Sequence, residues 1–184
     1  MITDPEAVPT AVERIDLRKL RYLLLSLAVV VADQWSKWLV EARLPHPLVQ
    51  TIVPNFLSFT HVRNTGVAFG LFASDGVSGS WMLTGLGLAA LAAVAAYFRF
   101  AAADDRWLLS ALALVVGGAV GNLIDRVTSG AVTDFIDVYL GPHHWPAFNV
   151  ADSAISIGIL LMLLDSLRLR KGGRRDAGSE PESA

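Results

Sequence analysis

The chain contains no cysteine and carries little charge for its length. None of its 184 residues is cysteine, and 17% are charged against 53% that are hydrophobic. The lack of cysteine excludes disulfide bonds, thiolate metal sites and a cysteine nucleophile. The scarcity of charge, with a mean hydropathy of +0.49, excludes an ordinary soluble domain. The net charge of -2 argues against a nucleic-acid partner. We therefore expect an integral membrane protein.

Four apolar segments are each near the length that a helix needs to cross about 30 Å of hydrocarbon. They are Leu20–Val40, Trp81–Phe98, Trp107–Ile124 and Asn149–Leu167. A cleavable signal peptide is the alternative interpretation of the first segment. That segment contains Asp33 and Lys37, and no small-x-small cleavage site follows it. We interpret it as a permanent anchor and predict four transmembrane helices.

The basic residues predict the orientation of these helices. Eleven of the 15 Lys and Arg residues lie before the first segment, within its first residues, at the ends of the 99–106 loop, or after the fourth segment. The positive-inside rule therefore places both termini and that loop in the cytoplasm. The segments 41–80 and 125–148 then lie outside the cell membrane.

The two outer segments predict a small β-sheet. Leu48–Phe59 is rich in Thr, Ile, Val and Phe, and the following residues to Arg63 alternate as a strand does. A second extended run covers Ala131–Leu140, and the Gly and Pro residues of 141–146 predict a loop after it. We expect the aromatic residues of this loop, and His143 and His144 with them, to lie at the membrane interface.

The two ends of the chain are polar and have no periodic apolar face. We expect residues 1–13 and 171–184 to be disordered cytoplasmic tails. The predicted fold is thus an all-α integral membrane protein with one four-helix domain over 14–170. A small extracytoplasmic sheet or cradle and a short extracytoplasmic loop or helix complete it. Gly117 and Gly121 form a small-xxx-small pair, which we interpret as a packing site between helices.

Charged residues within a membrane helix are costly and need a partner. Asp33 and Lys37 are four residues apart on the first helix, with the acid before the base, which favours an ion pair. The favoured interpretation is a structural pair in which Lys37 extends to the outer interface. A role in holding the substrate or the outer sheet is the alternative.

Asn122, Asp125 and Arg126 share one face at the outer end of the third helix. A neighbouring guanidinium makes a carboxylate a poor general base. We therefore favour a structural or orienting role for Asp125, paired with Arg126, over a catalytic one.

Asp134 and Asp152 have no basic neighbour in the sequence. Two carboxylates that meet in a low-dielectric site share one proton, and an aspartic peptidase requires that state. The alternatives are an acid in the first turn of a helix for Asp152 and an acid in a turn for Asp134. The residues alone leave these possibilities open.

Five motifs in order resemble those of bacterial lipoprotein signal peptidases, and the resemblance covers Arg21 to Leu167. The motifs are Asp-Gln-Trp-Ser-Lys (33–37), Asn-Thr-Gly-Val-Ala-Phe-Gly (64–70), Gly-Asn-Leu-Ile-Asp-Arg (121–126), Val-Thr-Asp-Phe-Ile (132–136) and Phe-Asn-Val-Ala-Asp-Ser-Ala-Ile (148–155). The resemblance implies that Asp134 and Asp152 are the catalytic pair. It also implies that Asn64 binds the substrate or stabilises the oxyanion, and that other motif residues support the site. These supporting residues are Gly66, Ala68, Asn122, Asp125, Arg126, Asn149, Ala151, Asp33 and Lys37.

The same resemblance implies the reaction. Members of this family remove the signal peptide from a prolipoprotein, cutting just before a cysteine that carries diacylglycerol. They use no metal or organic cofactor, and the antibiotic globomycin inhibits them. We accordingly expect a monomeric enzyme of the bacterial inner membrane, in contact with lipid, whose active site faces outward.

Three other functions are possible for a membrane protein with these acids. A transporter or proton channel also uses intramembrane acids, but here the acids gather at one face and the spans show no inverted repeat. A metal-dependent hydrolase needs more ligands than two carboxylates, and His143 and His144 are adjacent in a loop. A structural scaffold would leave Asp134 and Asp152 without a role.

Overall fold

The structure is a computed structural model that describes residues 19–44, 49–66 and 76–176. The helices are α1 (Leu20–Arg43), α2 (Gly76–Phe100), α3 (Arg106–Ser129) and α4 (Val150–Asp176). The strands are β1 (Val49–Val53), β2 (Leu57–Asn64), β3 (Val132–Leu140) and β4 (His143–His144). Each of the four predicted apolar segments is therefore helical.

Three of the described helices are long and apolar enough to cross a membrane, namely α1, α3 and the Val150–Arg168 part of α4. The apolar part of α2, Thr84–Phe100, is shorter. Large apolar side chains on the outward faces of α1 and α4 are exposed, among them Leu24, Val31 and Leu163. Such exposed apolar surface is suited to contact with lipid.

Helix α4 extends beyond its predicted end. It continues to Asp176, so the prediction of a disordered tail from residue 171 is wrong for 171–176. Cations in the last turns of a helix interact favourably with its dipole, and this part of the chain is rich in Lys and Arg. The tail predictions for 1–13 and 177–184 lie outside the described residues.

Helix α3 is the central helix, and it packs against α1, α2 and α4. Glycines permit this close approach, as predicted for Gly117 and Gly121. A methyl group added at Gly117 would lie 2.8 Å from the carbonyl oxygen of Ser26. At Gly118 it would overlap the carbonyl oxygen of Ala151, and at Gly121 it would lie 2.5 Å from Oδ2 of Asp33. The small residues therefore bring the backbones of α1 and α4 against α3.

The four strands form one antiparallel sheet in the order β1-β2-β3-β4. The predicted sheet and the extended run over 131–140 are thus confirmed. The prediction of a plain loop over 141–146 is wrong at His143 and His144, which pair with Leu140 and Tyr139. Gly141, with a φ of 57°, and Pro142 act as a two-residue turn that folds the chain back on itself.

The sheet and the described basic residues Lys19 and Arg99 lie at opposite ends of the bundle. Phe135 on β3 packs with Val40 and Leu44 at the end of α1. At the other end of α1, Lys19 donates hydrogen bonds to the carbonyl oxygens of Phe98 and Arg99, at 3.1 and 2.8 Å. The end of α2 therefore lies beside the start of α1, as the predicted grouping of basic residues requires.

Candidate active site

Strand β3 brings Asp134 into a buried position beside two amide side chains. Asp134 is 2% exposed. Its Oδ2 accepts a hydrogen bond from Nδ2 of Asn64 at 2.9 Å, and its Oδ1 accepts one from Nδ2 of Asn149 at 2.7 Å. Asn64 comes from the end of β2, which pairs with β3 and holds Val62 opposite Asp134. Asp134 is thus a strand residue with two fixed partners, as the predicted extended run requires, and the alternative of an acid in a turn is wrong.

Asp152 lies in the first turn of α4 and forms a reciprocal cap with Asn149. The backbone N–H of Asp152 donates to Oδ1 of Asn149 at 2.9 Å, and the backbone N–H of Asn149 donates to Oδ2 of Asp152 at 3.3 Å. This arrangement is a capping box, which satisfies two N–H groups at the start of a helix. Nδ2 of Asn122 donates to the other oxygen, Oδ1, at 2.7 Å. The capping role that was one alternative for Asp152 is therefore real, and it also fixes the carboxylate.

Asn149 joins the two carboxyl groups. Its side chain donates to Asp134, its backbone N–H donates to Asp152, and the residue is completely buried. Hydrogen bonds between Phe148 and Ile136 hold the residue before Asn149 against β3. The fold thus brings together Asp134 and Asp152, which are 18 positions apart in the sequence.

The environments of the two carboxyl groups differ. The pKa of Asp134 is raised from 3.8 to about 6, mainly by burial and in part by the negative charge of Asp152, while the hydrogen bonds from Asn64 and Asn149 oppose the rise. Asp152 is only half-buried. A carboxyl group with a raised pKa keeps its proton at weakly acidic pH, which an acid catalyst needs.

The predicted ion pair between Asp33 and Lys37 is confirmed, with 2.7 Å between Nζ and Oδ2. The prediction that Lys37 extends to the interface is wrong, because Lys37 is only 3% exposed. Its ammonium also contacts Oδ2 of Asp125 at 2.8 Å and Oδ1 of Asn122 at 3.1 Å. These acceptors on the neighbouring helix hold the charge inside the protein.

Asp125 has a different cationic partner from the one predicted. It pairs with Lys37 and also accepts hydrogen bonds from Nε2 of Gln34 at 2.8 Å and from the backbone N–H of Thr133 at 3.2 Å. Arg126 instead donates to the carbonyl oxygen of Asn122 at 3.3 Å. Adjacent residues on a helix point in different directions, so the predicted pairing of Asp125 with Arg126 is wrong. The contacts of Asp125 join three segments of the chain.

Two further motif residues occupy structural positions. The backbone N–H of Ala151 donates to Oδ1 of Asp33 at 2.9 Å, so Asp33 caps the start of α4 from another helix. Gly66, with a φ of 84°, donates its N–H to Oδ1 of Asn64 at 2.8 Å. That bond turns the amide nitrogen of Asn64 toward Asp134. Ala68, the remaining predicted site residue, lies outside the described residues.

Sequence reasoning missed Gln34, Thr133 and Glu41. Gln34 bridges Asp125, Asp33 and the carbonyl oxygen of Gly121. Oγ1 of Thr133 donates to Glu41 at 2.7 Å, which fixes β3 to the end of α1 beside Asp134. Gln34 and Thr133 lie inside the recognised motifs, and a polar residue within an apolar helix was the signal for Gln34.

The adjacent histidines lie apart from this network. His144 contacts Asp137 at 2.9 Å and stacks on Tyr139, with 4.8 Å between the ring centroids. Across 19–44, 49–66 and 76–176, no three His, Asp or Glu side chains are arranged to hold a metal ion.

Comparison with known proteins identifies the family. A family model described as signal peptidase (SPase) II matches residues 25–168. The chain belongs to the signal peptidase II family. It is 40% identical to a lipoprotein signal peptidase of Pseudomonas fluorescens, over 84% of this chain and 92% of that protein. It is 41% identical to the lipoprotein signal peptidase of Geobacter metallireducens, over 84% and 95%.

Solved structures also resemble the chain. One bacterial membrane enzyme, determined by the in meso method at 1.9 Å, is 32% identical and superposes with a TM-score of 0.69 over 80% of this chain and 92% of that one. A second, at 2.3 Å, is 31% identical with a TM-score of 0.66 over 89% and 93%. Membership of the signal peptidase II family makes the chain an aspartic-type protease, which agrees with the resemblance inferred from the motifs.

Proposed function

We propose that this signal peptidase removes the signal peptide from diacylglyceryl-modified prolipoproteins by cleaving just before the lipidated cysteine. The catalytic residues in this proposal are Asp134 and Asp152. The observation that carries it is the joint support of both carboxyl groups by Asn149, with Asp134 buried and Asp152 half-buried. The relatives named above, which are lipoprotein signal peptidases, support the choice of substrate.

The two carboxyl groups then have different roles. Asp152, which is more accessible to solvent, takes a proton from a water molecule as the water oxygen attacks the scissile carbonyl carbon. Asp134, with its raised pKa, gives its proton to the carbonyl oxygen. In the second step the C–N bond breaks, Asp152 protonates the leaving amine, and Asp134 recovers a proton from the gem-diol hydroxyl. Both groups return to their starting states without a cofactor.

Amide groups complete the site. Asn64 is exposed and donates one N–H to Asp134. The amide carries a second N–H, which we assign to the substrate carbonyl, where negative charge develops. Asn122 and Asn149 hold Asp152 and Asp134 in position. Arg126, half-buried beside Asn122, contacts the bound peptide.

The site lies at one end of the helices, which fits a substrate anchored in lipid. In this proposal all four helices span the inner membrane, α2 included, and the basic end with both termini faces the cytoplasm. The sheet and the two aspartates then lie on the outer side. The acyl chains of the substrate stay in lipid while its scissile amide reaches Asp134 and Asp152. One chain supplies both carboxyl groups, so the enzyme acts as a monomer.

The test is cleavage of a purified prolipoprotein by the purified chain in detergent. We expect the protein with a diacylglyceryl cysteine to be cut directly before that cysteine, as read by mass spectrometry of the products. The matched control is the same protein without the lipid, which should be cut at least 10-fold more slowly because the acyl chains supply binding energy. Equal cleavage of both forms, or cleavage at another bond, would contradict the proposed substrate.

A further inference from the structure

Lys37 is a buried cation with three polar partners. The ammonium lies 2.7 Å from Asp33, 2.8 Å from Asp125 and 3.1 Å from Oδ1 of Asn122. An ammonium group has only donors; this one donates hydrogen bonds to Asp33 and Asn122 and forms an ion pair with Asp125. Two of the contacts are ion pairs within the bundle. The third connects Lys37 to the residue that holds Asp152.

The contact with Lys37 fixes the orientation of the Asn122 amide. Oδ1 of Asn122 accepts from Lys37 and from Nδ2 of Asn149 at 3.2 Å. Its nitrogen is consequently turned to the opposite side, where it donates to Oδ1 of Asp152 at 2.7 Å. A rotated amide would place its NH2 group against the ammonium and its oxygen against the carboxylate. Both of those contacts are repulsive, so the ammonium selects the orientation that serves Asp152.

Lys37 also balances a concentration of negative charge. Asp33 on α1 and Asp125 on α3 both contact its ammonium group. Asp152 on α4 is hydrogen-bonded to Asn122, which also contacts the ammonium, and Asp134 lies nearby on β3. Glu41 binds Thr133 next to Asp134, and Arg126 is turned to the backbone of Asn122. The positive charge of Lys37 lowers the pKa of Asp134. The cation therefore acts on both carboxyl groups of the proposed catalytic pair.

We propose that Lys37 is a positioning residue for catalysis, which acts through Asn122 to orient Asp152. This inference rests on the proposed roles of Asp134 and Asp152. A purely structural ion pair would need only Asp33 and Asp125. The bond to Asn122 gives Lys37 an effect on turnover that a structural ion pair lacks.

The test must separate this effect from folding. Lys37→Met leaves Asp33 and Asp125 buried without their cation, so it can fail to fold. The decisive variant, called the charge-balanced variant, is Lys37→Met combined with Asp125→Asn. It keeps the net charge of the cluster at the wild-type value, and Asp33 keeps its hydrogen bonds from the backbone N–H of Ala151 and from Gln34. Lys37→Arg, which keeps the charge, is the conservative variant. Each is compared with wild type and with Asp152→Asn by thermal unfolding, by kcat and KM on the lipidated substrate, and by the pH profile.

We expect the charge-balanced variant to fold and to bind substrate with a KM within about 3-fold of wild type, because neither residue touches the peptide. Its kcat should fall about 10- to 100-fold, because the variant loses the charge-assisted hydrogen bond from Lys37 that orients Asn122 toward Asp152. The alkaline limb of its pH profile should move to higher pH, because Asp134 loses its proton less readily without the cation. Lys37→Arg should recover part of the lost kcat.

Three results would overturn the inference. The first is a folded, charge-balanced variant with wild-type kcat and pH profile. The second applies if the charge-balanced variant does not fold, and it is a wild-type kcat per folded molecule in Asn122→Ala, because Lys37 is proposed to act on Asp152 through the amide of Asn122. The third is full activity of Asp152→Asn in the same assay. Of the three results, only the third would also contradict the proposed function. Failure of the inference about Lys37 and failure of the proposed function can therefore be distinguished.

Discussion

Nδ2 of Asn149 lies 2.7 Å from Oδ1 of Asp134 and is the hydrogen-bond donor to that oxygen. The same asparagine is the N-cap of α4 and exchanges hydrogen bonds with Asp152. A helix start is therefore part of the site, since the residue that begins α4 also fixes both carboxyl groups. Mutation can separate the role of Asn149 as a helix cap from its role as the donor to Asp134.

Asn149→Ser should retain the helix cap and lose the donor to Asp134. Serine is nearly as good an N-cap as asparagine, so the unfolding temperature should stay closer to wild type than that of Asn149→Ala. Both variants should lose about 10- to 100-fold in kcat, because the orientation of Asp134 is lost in each. Thermal unfolding and turnover of the lipidated substrate check this. Wild-type turnover in Asn149→Ser would show that the side-chain donor is dispensable.

Asp134→Asn should change the pH dependence of stability. The pKa of Asp134 is raised from 3.8 to about 6 in the folded protein, so the folded state binds this proton more tightly than the unfolded state. Stability of the wild type should thus fall as pH rises from about 4 to about 6, by about 3 kcal/mol for this group. Asp134→Asn has no proton to lose there and should lack this fall.

The measurement is the unfolding free energy of both proteins at about pH 4 and about pH 7. Asp137→Asn, on the same strand but paired with His144, is the matched control and should keep the component due to Asp134. If the unfolding free energies of wild type and Asp134→Asn changed in parallel between the two pH values, the proposed effect of burial on Asp134 would be wrong.

Asp125→Asn should destabilise the protein more than Arg126→Gln. Asp125 pairs with the buried Lys37 and accepts from Gln34 and Thr133, whereas Arg126 makes one bond to a backbone carbonyl. Removal of one partner of a buried ion pair costs about 3 kcal/mol or more. Thermal unfolding of both variants in the same detergent decides this. A larger loss in Arg126→Gln would restore the pairing that the sequence predicted.

Gly118→Ala should destabilise the helix bundle, because the added methyl group overlaps the backbone carbonyl of Ala151. Backbone atoms cannot yield to it, and overpacking typically costs about 1–3 kcal/mol. Gly85→Ala in α2 is the matched control, since nothing lies within 4 Å of the added methyl group. Alanine favours a helix over glycine by about 1 kcal/mol, so this control should be neutral or stabilised. Equal effects of the two substitutions would contradict the close approach of α3 and α4.

The sequence predicts the local features of the fold well. The apolar segments become helices, the alternating runs become strands, and the spacing of Asp33 and Lys37 produces their ion pair. Each of these depends on residues close together in the chain. The end of α4 and the strand at His143 were missed because helix continuation and a turn at Gly141 depend on weak local preferences.

The pairings within the site depend on distant residues and were not predictable from spacing. Lys37 and Asn122 are 85 positions apart, and Thr133 and Glu41 are 92 apart. The motifs identified most of these residues but not their partners. Asp125 shows the difference, because its neighbour in the sequence is Arg126 while its cationic partner in space is Lys37. Packing of α1 against α3 decides that pairing.

In the proposed function, Asp134 and Asp152 together carry out peptide cleavage. The most direct measurement is the cleavage rate of a lipidated prolipoprotein per folded molecule of Asp134→Asn and Asp152→Asn, with Asp137→Asn as control. We predict a loss of at least about 1,000-fold in each of the first two variants, and a rate close to wild type in the control. Appreciable cleavage by folded Asp134→Asn or Asp152→Asn would contradict the claim.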